Sequence, residues 1–390
     1  MRSFPQFIQR LRSAAGLVAF MTATASGSAA ENNAPAADTD SYFEQAVADS
    51  NPLRIAQARE YEAYIGALQQ DPGQLRAVFQ PDYRSPAAYV RSTDSYRAAF
   101  CRSIGYPCPG ARPDEPARFE QIGEDGIGTY YRVMIAVLPG IHAEGIYIVP
   151  KTRSGPVPLV VAQHGGAGSP EQALFHGGAN YHDMVRGAVK RGYAVFAPQL
   201  LFSSPGLTKT NRVETDRRLR LVGTTVTAVE VTKIVRSLDV LLGRPEIDPA
   251  RVGMVGLSYG GFYTLVVTAI EPRIKMAVSA GYYGVQEGRY ADDELSIPPD
   301  LAFPARMTRF RDSDLVALIC PRPLQIQAGD HDEIHHWKSG QKLAPESAAY
   351  YAKLGLADRF DYRLFAGGHE FSDALAWPFV ARFLERHSSD

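Results

Sequence analysis

Arg251-Val252-Gly253-Met254-Val255-Gly256-Leu257-Ser258-Tyr259-Gly260-Gly261 reads as a short buried strand, Val252 to Leu257, then a sharp turn, then a helix over Phe262 to Ile270. The turn holds Gly256-Leu257-Ser258-Tyr259-Gly260, a G-x-S-x-G pattern. A serine that attacks a carbonyl must stand clear of the sheet, so its backbone is strained. Glycines two residues to either side let strand and helix pass close together. The helix that follows points its free N–H groups at a developing oxyanion. A glycine-rich turn without chemistry would share the pattern. The apolar strand before it and the helical run after it supply the context that a nucleophile elbow requires.

A serine at such a turn needs partners. In open α/β sheets ligands lie outside the carboxyl ends of the strands, so the partners belong just after later strands. The strand Leu324–Ala328 runs into Gly329-Asp330-His331-Asp332-Glu333, and the strand Phe360–Phe365 into Ala366-Gly367-Gly368-His369-Glu370-Phe371. The order is Ser258, an acid, then His369, as in α/β hydrolases. His369 in a Gly-Gly-His turn has the freedom to reach the serine as general base. The acid that orients it is Asp332 on a Gly-x-x-Asp spacing from Gly329, with Asp330 as the alternative. His331, His335 and His336 raise a metal site, but no helix is evident around them and there is no H-E-x-x-H. No metal is expected.

An oxyanion hole needs two N–H donors. One is the backbone N–H of Tyr259, directly after the nucleophile. The other is expected from His164-Gly165-Gly166-Ala167-Gly168, after the apolar strand Pro158–Gln163. Gly166 is the donor of choice, with Gly165 beside it. Phosphate binding is the rival reading of a glycine-rich loop. It lacks both G-x-x-x-x-G-K-[ST] and, after this strand, G-x-G-x-x-G, so no cofactor is expected.

The chain has 390 residues, 45% of them apolar, enough for one large domain or a domain with an appendage. A net charge of −1 argues against nucleic acid as a partner. No apolar run is long enough to span a membrane. Arg2, Arg10 and Arg12 precede the apolar run Ala14 to Met21, and small residues follow, as in an export signal. Residues 1–30 therefore read as a signal peptide, which places the protein in the periplasm or outside the cell. Cys101 and Cys108 could close a local disulfide there or remain free thiols. Cys320 reads as a buried apolar residue. Nothing in the sequence fixes an oligomeric state.

Residues 31–118 read as a linker and a helical extension, with helices at Ala46–Gln69 and Tyr89–Ile104. The domain from 119 to 390 opens with a hairpin, Thr129–Val137 and Glu144–Val149. It then alternates strands and helices: Tyr181–Arg191, Tyr193–Pro198, a long helix Arg220–Leu242, the serine's strand, Ile274–Ala280, and helices at Pro345–Lys353 and Ala374–Arg386. Such alternation means an α/β fold with a mostly parallel sheet flanked by helices. Gly281 to Ile319 is irregular and starts on the serine's side of the sheet. Its Tyr282, Tyr283, Tyr290 and Phe303 are expected to wall a substrate site.

Together these segments resemble the α/β-hydrolase superfamily, and within it the dienelactone hydrolase, acetyl xylan esterase and prolyl oligopeptidase group. The resemblance rests on Val160–Gly166, on Arg244-Pro245-Glu246-Ile247-Asp248-Pro249-Ala250-Arg251-Val252-Gly253 leading into the elbow, on Glu271-Pro272-Arg273-Ile274-Lys275, and on Cys320-Pro321-Arg322-Pro323-Leu324. It implies a serine hydrolase without cofactor. Dienelactone hydrolases proper carry cysteine at the elbow, so Ser258 points away from dienelactones. The leading expectation is a carboxylic ester hydrolase acting on a small molecule or an acylated carbohydrate. A peptidase of the same fold and an inactive binding protein on that scaffold are the alternatives. Turnover of p-nitrophenyl acetate against an aminoacyl-p-nitroanilide separates the three.

Overall fold

The computed structural model describes residues 45–70, 78–175, 180–202, 211–284, 301–335 and 337–385. Residues 1–30, expected to be an export signal, the expected linker up to Asp40, Tyr290 and His336 lie outside them. The chain divides into two compact units, one up to Tyr61 and one from Glu62 to Asp390. The described part of the first is a 3-10 turn, Val47–Ser50, and the beginning of helix α1 (Asn51–Gln70), which has no buried residue.

The second unit is built on one nine-stranded sheet. Its strands are β1 (Arg118–Glu124), β2 (Gly128–Leu138), β3 (Ile141–Pro150), β4 (Val157–Gln163), β5 (Ala194–Pro198), β6 (Ile247–Leu257), β7 (Met276–Ala280), β8 (Leu324–Gly329) and β9 (Phe360–Phe365), in the order β1-β2-β3-β5-β4-β6-β7-β8-β9. β1, β2, β3 and β5 pair antiparallel, and the rest of the sheet is parallel. The hairpin is therefore a three-stranded edge. β1 shows no alternation because all but one of its residues are exposed.

The central strands β4, β5, β7 and β8 are buried along their whole length, as parallel strands covered on both faces must be. Alternate side chains enter two cores. Leu159, Val161, Phe196 and Met254 join a cluster with helices α2 (Pro86–Ser103), α6 (Val226–Leu241), α7 (Tyr259–Ile270) and α8 (Asp312–Ile319). Val160, Ala162, Val195 and Val255 join the opposite one with α3 (Pro170–Leu174), α4 (Met184–Lys190) and α10 (Asp373–Leu384). α2 starts where Ser85 Oγ accepts the Ala88 N–H at 3.1 Å, and it buries Tyr89, Thr93, Tyr96 and Phe100 at helical spacing.

Three expectations need correction. The long helix Arg220–Leu242 is two helices, α5 (Arg212–Leu221) and α6. Gly223 at φ +87° turns the chain, Asp216 Oδ1 accepts the Val226 N–H at 3.0 Å, and Thr225 caps α6 by accepting from Ala228 N at 3.0 Å. The next helix, α9 (Trp337–Ala352), starts well before Pro345 and carries that proline in its interior. Pro345 removes the bond to the Gln341 carbonyl, and Gln341 is exposed, so water can reach it.

Finally, the described aromatics of 281–319 are core residues, not a wall. Tyr282, Tyr283 and Phe303 are nearly fully buried. Tyr283 Oη pairs with Ser347 Oγ at 2.7 Å. Arg306, buried with Asp312 as an ion pair, donates to Tyr282 Oη at 3.1 Å and to the Phe310 carbonyl at 2.8 Å. Asp312 Oδ2 also accepts the Gly284 N–H at 2.9 Å. Cys101 and Cys108 are free thiols, and Cys108 Sγ lies 3.3 Å from Thr224 Oγ1. Cys320 is buried.

Tyr283→Ala should cost about 3 kcal/mol of stability, the range for deleting a large buried ring, and leave the ratio of kcat/KM between a short and a bulky ester unmoved. Urea unfolding and ester assays on the same preparation check this. A changed ratio at unchanged stability would return Tyr283 to the substrate wall.

Candidate active site

Strand register brings the site together. Gln163 of β4 pairs with Gly256, Leu257 with Ala280, Ala280 with Gln327, and Gly329 with Phe365. The segments that follow β4, β6, β7, β8 and β9 therefore leave the sheet at one edge. They carry Gly166, Ser258, Gly281, Asp332 and His369.

Ser258 stands at φ +60°, ψ −119°, between the last residue of β6 and the first of α7. Such a backbone costs on the order of 1–3 kcal/mol in a non-glycine residue. It is held by the Ser258 N–H to Ala280 carbonyl bond at 2.8 Å. The two flanking glycines are there for close approach. A Cβ on Gly256 would lie 2.3 Å from the Gly260 carbonyl, and one on Gly260 would lie 2.1 Å from the Gln163 carbonyl.

His369 donates from Nδ1 to Asp332 Oδ2 at 2.8 Å. Asp332 Oδ1 accepts the N–H groups of Ile334 and His335 at 2.8 and 2.7 Å. Burial pushes the Asp332 carboxyl up. Its hydrogen bonds from His369, His335 and Ile334 outweigh burial and leave it below the ordinary 3.8. Asp330, the alternative, faces elsewhere: its Oδ1 contacts His331 Nδ1 and accepts the Gly367 N–H at 3.2 Å. His335 turns Nε2 to the Tyr283 carbonyl at 2.8 Å. A Cβ on Gly281 would lie 3.0 Å from His369 Cε1, which sets the imidazole beside the residue following Ala280, the carbonyl that holds Ser258. Among the described residues no hydrogen bond joins Ser258 Oγ to the ring. Such bonds commonly tighten only when substrate is present.

The loop after β4 passes over the serine: a Cβ on Gly165 would lie 3.2 Å from Ser258 Cβ, and one on Gly166 3.1 Å from the Tyr259 ring. Gly165 spends its N–H on Tyr181 Oη at 2.8 Å. Gly166 has no acceptor among the described residues and is exposed.

Four supporting groups carry no local signal in the sequence. His164 accepts the Leu200 N–H at Nε2 (3.1 Å), so Nδ1 carries the proton and donates to the Gly165 carbonyl at 2.8 Å. Burial pushes His164 down to about 4, which keeps it neutral. Tyr181 supports the same loop from below. Its neighbours hold the His369 turn: the Asn180 carbonyl accepts the Phe371 N–H at 2.8 Å, and His182 Nε2 lies 2.6 Å from Glu370 Oε2. Arg212, nearly fully buried, donates to the Leu201 carbonyl at 2.7 Å and lies over the rings of Phe202 and Tyr259 at 4.9 and 5.5 Å.

Because Asp332 is held below 3.8, the stability it contributes is complete above that value and is lost as pH falls through the lowered one. The difference in unfolding free energy between wild type and Asp332→Asn should therefore shrink as pH falls from about 5 towards 3. Urea titrations across that range measure it. A difference that grows on acidification would reverse the sign assigned to Asp332.

Comparison with known proteins finds hydrolases and esterases. YtaP of Bacillus subtilis (strain 168), a hydrolase by name, is 24% identical over 256 residues, 63% of this chain and 83% of YtaP. A glucuronoyl esterase from Solibacter usitatus superposes with a TM-score of 0.55 at 16% identity, over 78% of this chain and 96% of that one. Acetyl xylan esterase 1 from Thermoanaerobacterium sp. JW/SL YS485 superposes with a TM-score of 0.51 at 16% identity, again over 78% and 96%. Those two likenesses show a shared fold, the α/β-hydrolase fold. The model of the dienelactone hydrolase family matches residues 145–356, more than half of the chain and including Gly166, Ser258, Tyr259 and Asp332, and the chain belongs to that family.

Proposed function

We propose that this protein is a serine-dependent carboxylic ester hydrolase that works through an acyl-enzyme. The observation that carries the reading is the 2.8 Å Asp332–His369 bond at the sheet edge where Ser258 stands on its strained turn. Membership of the dienelactone hydrolase family supports hydrolysis of an ester. A small-molecule or acylated-carbohydrate ester is the substrate class, in line with the esterases that share the fold.

His369 takes the Ser258 proton at Nε2 as Oγ attacks the ester carbonyl. Asp332 keeps Nδ1 protonated and offsets the charge on the ring. The tetrahedral oxyanion lies between the Tyr259 N–H, at the N-terminus of α7, and the Gly166 N–H. His369 returns the proton to the departing alkoxide, and the alcohol leaves. Water then attacks the acyl-serine with His369 as base, which releases the acid and restores Ser258. The export signal read in residues 1–30 puts this activity outside the cytoplasm.

Ser258→Ala should lose about a thousandfold or more in turnover of p-nitrophenyl acetate with little change in melting temperature. Asp332→Asn should fall in the same way, while Asp330→Asn stays within about threefold of wild type, since only Asp332 touches the imidazole. Loss of activity in Asp330→Asn with Asp332→Asn active would exchange the two acids. Full activity in Ser258→Ala would remove the serine mechanism.

A further inference from the structure

A cavity of about 790 Å³ opens beside the oxyanion loop. It runs from Gly140 in the β2–β3 turn and the start of β3 at Ile141 and His142, past Ala167 and Gly168, to Phe202 and the facing sides of α5 and α6. It continues from the candidate site: Gly166 precedes Ala167, and the Phe202 ring meets the Tyr259 ring edge-on at 5.2 Å. A substituent that leaves the reacting carbonyl past Gly166 would enter it. The volume falls in the range of small-ligand sites and far exceeds the needs of an acetyl group.

We infer that this cavity is a subsite for a neutral, hydroxyl-bearing ring, a glycosyl unit of the ester substrate. The inference rests on the ester-hydrolase reading and names the side of the substrate that the cavity takes. Its floor is Lys233 on α6, nine-tenths buried. Lys233 Nζ donates to the Gln199 carbonyl at 2.7 Å and to Glu230 Oε2 at 2.8 Å. An ammonium has three donors. The third has no acceptor among the described residues, and it belongs to a residue that lines the cavity. A donor without a protein acceptor at the cavity wall can be met by a ligand oxygen. Beside it, Gln199 uses its amide nitrogen on the Leu200 carbonyl at 2.6 Å, which leaves its amide oxygen to accept from a hydroxyl.

Charge argues for a neutral ligand. Glu230 is buried, which would raise its carboxyl, but Lys233 and Arg212 beside it outweigh burial and hold it ionised. Two cations and one anion meet there, and the Glu144 carboxylate lines the cavity as the balancing charge. An anionic ligand would face Glu144 and Glu230, and a cationic one Lys233. Leu219, Val226 and Val229 supply apolar surface for the C–H faces of a ring.

The test compares kcat/KM on a mono-O-acetylated disaccharide, the same disaccharide bearing a uronic acid, and p-nitrophenyl acetate. Gln172→Trp fills the cavity from an exposed position and should fold. Lys233→Met removes the free donor, and melting curves show whether it folds. In both variants the ratio of kcat/KM for the neutral disaccharide ester over p-nitrophenyl acetate should fall about tenfold, mainly through KM. Unmoved ratios in Gln172→Trp, a preference for the uronate, or no turnover of the disaccharide ester while p-nitrophenyl acetate is hydrolysed would each overturn the subsite. The ester-hydrolase reading would stand in those cases. That reading falls separately if Ser258→Ala keeps p-nitrophenyl acetate turnover.

Discussion

Between Gly260 and the Gln163 carbonyl there is room for a hydrogen atom and nothing larger, since a methyl carbon would sit at 2.1 Å. That approach seats the head of α7 on the end of β4. It fixes how far Ser258 rises from the sheet, how close the loop after β4 comes, and where the Tyr259 N–H points. The register of β4, β6, β7, β8 and β9 then brings every other piece to the same edge. A second close approach does the same for the acid and the base. A Cβ on Gly329 would lie 2.2 Å from the Gly368 carbonyl, so the turns that carry Asp332 and His369 pass backbone against backbone. The geometry of the candidate site is thus set by main chain before any side chain is oriented.

Side chains then remove the remaining freedom. His164 and Tyr181 take two polar groups of Gly165 out of play, while the Gly166 N–H has no acceptor among the described residues. Asn180 and His182, on either side of Tyr181, hold the residues that follow His369. One short segment, 180–182, therefore braces both the loop after β4 and the turn that carries His369. His182 and Asp183 both have positive φ, at 44° and 55°, a strained pair for non-glycine residues. Its bonds to both loops are what hold that conformation. Arg212 braces the other flank, joining Phe202 and Tyr259 to the charged cluster of Glu230 and Lys233.

What was legible in the sequence follows from range. The parallel core strands read as apolar runs because both of their faces are buried. Ser258, Asp332 and Gly166 could be named because each follows such a strand at a short spacing, and His369 because it sits in a Gly-Gly-His turn after the edge strand β9. The carboxylate that contacts His369 is the one the Gly329-based spacing singles out. β1 was hidden because an exposed edge strand has no alternation to show. The break at Gly223 was hidden because its causes, the Thr225 cap and the Asp216 carboxylate, are capping bonds that apolar periodicity does not register. The aromatics at 282, 283 and 303 carry the composition of a substrate wall, and only tertiary packing tells wall from core. Tyr181 and His182 contact partners 16 and 188 residues away, a relation that periodicity and motif spacing do not carry.

The central claim is that Ser258 is the nucleophile of an ester hydrolase. A fluorophosphonate ester tests it most directly, because it reacts only with a serine that its own site has activated. Incubation of the purified protein, then digestion and peptide mass spectrometry, should find one adduct on Ser258. Its formation should keep pace with loss of p-nitrophenyl acetate turnover and should be abolished by His369→Ala. An adduct on another serine, or full turnover after complete labelling of Ser258, would contradict the account.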